Sequence, residues 1–113
     1  MNISATLDTL VHSLQSSNPY KIILFGSFAQ GKQNENSDID IMVILDNDHV
    51  SQTYQERLDK KTRIRNLVLD INRQIPLDIL VYSKKELSLI KQHGNQFIDE
   101  IEKTGKILYE KAG

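Results

Sequence analysis

Residues 23–45 read ILFGSFAQGKQNENSDIDIMVIL: two apolar runs joined by a polar loop, the second opening with Asp38 and Asp40. Runs this rich in isoleucine, leucine and valine, bounded by Gly, Ser, Asn and Asp, have the composition of strands. Carboxylates are seldom fully buried unless paired, and two of them one residue apart repel each other unless a cation sits between them. A fold for this chain must therefore hold two acids at the mouth of an apolar strand.

The remaining elements are placed around that core. Ile3, Leu7, Leu10, Val11 and Leu14 recur at helical spacing, which predicts an amphipathic helix over 3–16, closed by Ser16-Ser17-Asn18-Pro19. Tyr20–Phe25 reads as the first strand, 27–31 as a short helical turn, and Ile39–Leu45 as the second strand, ended by Asp46-Asn47-Asp48. Ser51–Arg73 reads as one long helix. Its inner face is Ile64, Leu67, Val68, Ile71 and Ile75, with Tyr54 and Leu58 extending the stripe. Pro76 breaks that helix and Leu77–Tyr82 forms a third strand. Ser83-Lys84-Lys85-Glu86 is a capping-box pattern that starts another helix, interrupted at Gly94. Asn95 caps a last helix over Phe97, Ile98 and Ile101, stopped near Gly105, and Lys106–Glu110 is either a short strand or a helical tail. The order α-β-β-α-β-α-α predicts an α+β fold, a small mixed β-sheet flanked by helices.

At 113 residues the expectation is a single domain over 1–113. The 14 basic and 15 acidic residues nearly cancel to a net charge of -1, so direct nucleic-acid binding and membrane attachment are not expected. With no cysteine, disulfides and thiolate metal sites are excluded. There is neither a basic segment followed by an apolar stretch at the N-terminus nor an apolar run of membrane-spanning length, which predicts a cytoplasmic protein.

Strand side chains alternate, so Asp38 and Asp40 share one side, ~7 Å apart at Cβ, and Ile39, Ile41 and Val43 take the other. Such a pair suits a hard divalent cation such as Mg²⁺, which takes oxygen ligands and keeps phosphate and water in its shell. Residues 34–48 contain Glu35, Asp38, Asp40, Asp46 and Asp48 and no lysine or arginine, which favours a cation over a salt bridge. Ser37-Asp38 equally fits plain turn chemistry. Asp78 lies in the otherwise apolar PLDILVY; beside the second strand it would join the acid pair, and three acids on neighbouring strands suit two-metal phosphoryl transfer. On an edge strand it would simply face water. Gly26 permits close backbone approach, Ser27 adds a hydroxyl, and N–H groups that follow a strand into a helical turn form an anion site. Read as a plain turn, GSFAQG needs its glycines only for shape.

Gly26-Ser27, ten residues, Asp38-Ile39-Asp40 and then a distal strand Asp78 resembles the DNA polymerase β-like nucleotidyltransferase superfamily, and within it the minimal nucleotidyltransferase (MNT) group. The resemblance runs through KIILFGSFAQG, SDIDIMVIL, PLDILVYS and the closing FIDEIEKTGKILYE. It implies a nucleoside triphosphate substrate, commonly ATP, with two Mg²⁺ ions. Gly26 and Ser27 would hold the β- and γ-phosphates, Asp38 and Asp40 would ligate both metals, and Asp78 would ligate the catalytic metal and help activate the attacking hydroxyl. Related sequences often carry Arg or Lys where this chain has Gln30, so phosphate charge would lack a partner there unless Lys32 supplies it.

Larger relatives add a helical domain that holds the acceptor. Only about thirty residues follow the third strand here, so the acceptor is expected from outside. MNT proteins are often paired with HEPN-domain toxins, which they neutralise by transferring AMP to them, by binding them, or both. The resemblance thus implies the antitoxin of a HEPN/MNT pair, with a binding-only antitoxin and transfer to a small molecule as rivals. Residues 51–73 hold six Lys and Arg against Glu56, Asp59 and Asp70, either a solvated face or a docking surface for an acidic partner or RNA. His12, His49 and His93 have no ligand spacing and are read as surface residues; Tyr20, Tyr54, Tyr82 and Tyr109 are read as packing.

Overall fold

The computed structural model describes residues 2–112. The elements run α1 (Ile3–Leu14) with a 3-10 turn to Ser17, β1 (Pro19–Phe25), α2 (Gly26–Gln30), β2 (Ile39–Leu45), α3 (Tyr54–Leu67), α4 (Leu69–Gln74), β3 (Leu77–Ser83), α5 (Lys84–His93), α6 (Gln96–Thr104) and β4 (Lys106–Glu110). Four strands form one mixed sheet in the order β3-β2-β1-β4. β1 is antiparallel to both β2 and β4, and β3 lies parallel to β2. The tail at 106–110 is thus a strand, paired with Lys21–Leu24 of β1.

A parallel neighbour requires a crossover, which α3 and α4 provide. Because strand side chains alternate, β2 feeds two cores. Ile39, Ile41, Val43 and Leu45 pack with Leu10 and Leu14 of α1 and with Ile64, Val68 and Ile71 from the crossover. Met42 and Ile44 pack on the opposite face with Leu87 of α5 and Ile98 and Ile101 of α6. Six of the seven β2 residues are buried, and Asp40 is the exception.

The expected long helix over 51–73 is instead two helices that start later. Thr53 caps α3 by accepting the Glu56 N–H, and Val68 leaves the helical basin at φ -124°, ψ 24°. The break lets both Val68 and Ile71 reach the core. The expected inner face also changes: Tyr54, Leu58 and Leu67 are 71%, 42% and 38% exposed, whereas Lys60 is 5% exposed. Lys60, Ile64, Val68 and Ile71 form the actual stripe, and a lysine is tolerated in it because Glu86 meets its ammonium at 2.5 Å. Glu86 also closes the capping box of α5 with Ser83 and accepts the Ser51 N–H. Burial by itself would push the Glu86 carboxyl up. The Lys60 ammonium and the N–H groups of Ser83 and Ser51 outweigh it and hold the group down at about 2.

Breaking this pair leaves an uncompensated buried charge, so Lys60→Ala is expected to cost ~3–5 kcal/mol in urea unfolding. The Glu86 pKa is lower folded than unfolded, so its stabilisation is complete above the ordinary carboxylate range and declines as pH falls from 4.5 towards about 2. Acid titration should show a steeper decline in wild type than in Glu86→Gln, which keeps only the share contributed by other lowered carboxyls such as Asp46.

Candidate active site

β1 ends at Phe25, and Gly26 turns the chain into α2 at φ +73°. This left-handed conformation favours glycine. There is no side-chain cap on α2, so its first N–H groups lack intrahelical partners and remain donors. Ser27 sits on this turn, partly buried, and its carbonyl accepts the N–H of Lys32 at 2.9 Å, which folds the end of α2 back towards its start.

The sheet register brings the predicted residues into one row. Phe25 is the partner of Asp40 across β1 and β2, and Asp40 is the partner of Asp78 across β2 and β3. Asp38 lies two residues ahead of Asp40. Asp38 and Asp78 are exposed and Asp40 is partly buried. Gly26 lies hard against Asp40: a Cβ on Gly26 would collide with a carboxylate oxygen and come within 3.1 Å of its carbon. All five predicted residues therefore meet at one end of the sheet. Asp40 is raised above the usual aspartate value, first by burial, then by the charges of Asp78 and Asp38.

Among the described residues, none of these three acids forms an ion pair. Asp46 behaves differently. It stands at the far end of β2 and binds Lys84 at 2.8 Å and Lys111 at 2.6 Å, both distant in sequence. Hydrogen bonds from Lys111 and Lys84 hold its carboxyl down at about 2. The acidity of residues 34–48 is thus divided between a paired acid at one end and an unpaired row at the other.

Among the described residues no three Asp, Glu or His side chains are arranged to enclose a metal ion. The row nevertheless fits a hard cation in kind, with oxygen donors only, mutual repulsion and no basic partner. The last helix does run over Phe97, Ile98 and Ile101 as expected, but Phe97 is 56% exposed, while Ile98 and Ile101 are buried. Its ring stands edge-on to Phe25 at 5.8 Å and 83°, placing an aromatic surface beside the acid row. The helical period of the last segment could not separate Phe97 from Ile98; the packing of α6 against β1 does. Gln30 and Lys32 are both exposed beside Ser27, and Lys32 forms no ion pair among the described residues.

The family model described as "Polymerase beta, Nucleotidyltransferase" matches residues 8–112. No curated protein matches the chain by sequence. Among solved structures, a toxin–antitoxin crystallised with AMP-PNP aligns over 93% of this chain and 73% of its own, at 21% identity and a TM-score of 0.55. A protein described as a nucleotidyltransferase from Sulfolobus solfataricus aligns over 96% of this chain and 83% of its own, at 19% identity and a TM-score of 0.56. A variant of the toxin–antitoxin MntA-HpeT, with two Asp-to-Glu substitutions two residues apart, aligns over 93% and 73% at 18% identity and a TM-score of 0.54. At these identities the likeness to the solved structures is one of fold.

Two outcomes follow from the crowding at Gly26 and Asp40. The folded chain holds the Asp40 proton to higher pH than the unfolded chain, so ionisation at neutral pH costs stability. Asp40→Asn should therefore melt higher than wild type in metal-free buffer, and the gap should close near pH ~4 and below. Gly26→Ala should destabilise by ~1–2 kcal/mol from the left-handed backbone, plus the collision. In an Asp40→Ala background the collision is absent, so a double-mutant cycle by urea unfolding should give a smaller cost there.

Proposed function

The chain belongs to the polymerase beta nucleotidyltransferase family, and from that membership we propose that it transfers AMP from ATP to a hydroxyl of a partner protein, serving as the antitoxin that neutralises a HEPN-domain toxin. The observation that carries the reading is the register of Asp40 against Asp78, with Gly26 packed on Asp40. A glycine turn and three acids that form no ion pair among the described residues share one end of the sheet. The fold of a toxin–antitoxin crystallised with AMP-PNP supports it, as does a toxin–antitoxin variant altered at two aspartates with the same spacing as Asp38 and Asp40.

In this reading Gly26 and Ser27 take the β- and γ-phosphates. The glycine lets backbone approach them, and the serine donates a hydroxyl hydrogen bond. Lys32, exposed beside this turn and without an ion pair among the described residues, supplies the positive charge that Gln30 lacks. Asp38 and Asp40 would hold two Mg²⁺ ions, and Asp78 one of them. When bound, such ions neutralise phosphate charge and lower the pKa of an attacking hydroxyl. The acceptor oxygen bonds to the α-phosphorus as the bond to pyrophosphate breaks, and pyrophosphate leaves. Asp78, exposed at the strand mouth, accepts a hydrogen bond from that hydroxyl, orients it, and takes up the proton it loses as the new bond forms.

Asp78→Asn tests the assignment. Asp38 and Asp40 lie on another strand, so the variant should keep most of its affinity for the non-hydrolysable analogue and its partner while losing transfer. Intact-mass spectrometry of the partner after incubation with ATP and Mg²⁺ should show added AMP with wild type and none with the variant. A partner silenced without any change in mass would establish neutralisation by binding alone.

A further inference from the structure

One feature of the fold lies outside the reaction just described. β3 is an edge strand, with β2 on one side and no strand on the other among the described residues. Its middle residues, Ile79–Tyr82, form the floor of a groove of about 360 Å³. The start of α3 makes one wall through Arg57 and Lys61, and α5 makes the other through Leu89 and Ile90. An edge strand presents a row of N–H and C=O groups that nothing in the sheet satisfies, and proteins commonly blunt such edges with charge, proline or a bulge. β4, the other edge, carries Lys106 and Glu110. The β3 stretch is Ile-Leu-Val-Tyr, with its acid only at the start.

The groove also has a definite charge. Lys60 and Glu86 in its lining neutralise each other, whereas Arg57 and Lys61 are exposed and form no ion pair among the described residues. Tyr54, Arg57, Leu58 and Lys61 follow the i, i+3, i+4, i+7 spacing of one helix face. Tyr54 and Leu58 on it are 71% and 42% exposed. Arg57 and Lys61 therefore share a face that also offers apolar surface beside an open strand edge, whereas Arg63 lies on the other side of α3.

We propose that this edge binds an extended, acidic segment of a partner protein as a fifth strand, with its backbone on Ile79–Tyr82 and its carboxylates on Arg57 and Lys61. Strand addition meets the unpaired backbone groups, which a nucleic acid does not. A second copy would bring its own Arg57 and Lys61 against these, a like-charge juxtaposition that disfavours self-pairing. β3 begins beside Asp78, so one end of the docked segment reaches the acid row in either direction. The edge thus describes the acceptor as an extended acidic segment, a point that rests on the transfer reading above.

A labelled synthetic peptide alternating glutamate and valine around one tyrosine tests the site, with neither ATP nor Mg²⁺ present, so the result is independent of transfer. The full chain should bind it by fluorescence polarisation and should ignore the lysine-for-glutamate counterpart. Arg57→Glu/Lys61→Glu, both surface changes, should weaken binding about tenfold or more. Methylating alternate peptide nitrogens should abolish it, and hydrogen exchange should slow at Ile79–Tyr82 on binding. The proposal is overturned if the acidic peptide does not bind, if the methylated peptide binds equally, or if protection appears elsewhere. It is also overturned if the chain dimerises through β3, or if single-stranded RNA protects this edge and the peptide does not.

Discussion

The parallel pairing of β3 with β2 is the contact on which the rest depends. Parallel strands cannot be joined by a tight turn, so the chain must cross one face of the sheet to return. That crossing is α3 and α4, and it covers the face on which Ile39, Ile41 and Val43 lie. With α5 and α6 on the opposite face, β2 becomes a strand buried on both sides, which explains why it reads as an almost continuous apolar run. The same pairing sets Asp40 opposite Asp78. A slip of one residue would turn Asp40 towards the packed α1 side and place Met42 and Ile44 wrongly, so the hydrophobic register and the acid row are one constraint.

The row is held at a cost. Three acids without a basic partner among the described residues repel, and Asp40 carries burial as well as that repulsion. Gly26 resolves the crowding beside Asp40: its left-handed backbone is open to glycine, and a Cβ there would collide with the carboxylate. Like charge gathered in one place in an otherwise well-packed sheet is what the proposed function would use. Asp46, just past the other end of β2, is the contrast: its two lysines make it a structural tie between the exit of β2, the start of α5 and the residue after β4.

A different device holds the α3–α5 side. Lys60 and Glu86 form a buried pair whose carboxylate also serves the cap of α5 and the Ser51 N–H, so one side chain joins the loop before α3, the middle of α3 and the end of β3. This keeps the two walls of the β3 groove in place while its rim stays basic. Asp78 of the acid row and the open edge share β3, so in the readings proposed above one strand joins the candidate site to the docking surface.

Much of this was legible in the sequence. Strong β composition marked β1, β2 and β3, the Ser83–Glu86 box and Asn95 marked the starts of α5 and α6, and Gly-Ser followed by Asp-Ile-Asp marked the candidate site, because these signals are local to a few residues. The break at Val68 was not legible, since the apolar spacing of 64–75 continues through it and only the sheet surface decides where the helix must turn. The inner position of Lys60 was hidden for the same reason, its partner lying 26 residues away. The sequence alone could offer Lys106–Glu110 as strand or helix, and β1 decided it by supplying hydrogen-bond partners. By itself the sequence determined that two acids open an apolar strand and that a glycine turn precedes them, because neighbouring residues impose the period of a strand and the shape of a turn. Only the tertiary structure decided that Asp78 faces Asp40, that Phe97 lies open beside Phe25 and that β3 is an edge, because strand order and register are contacts between residues far apart in the chain.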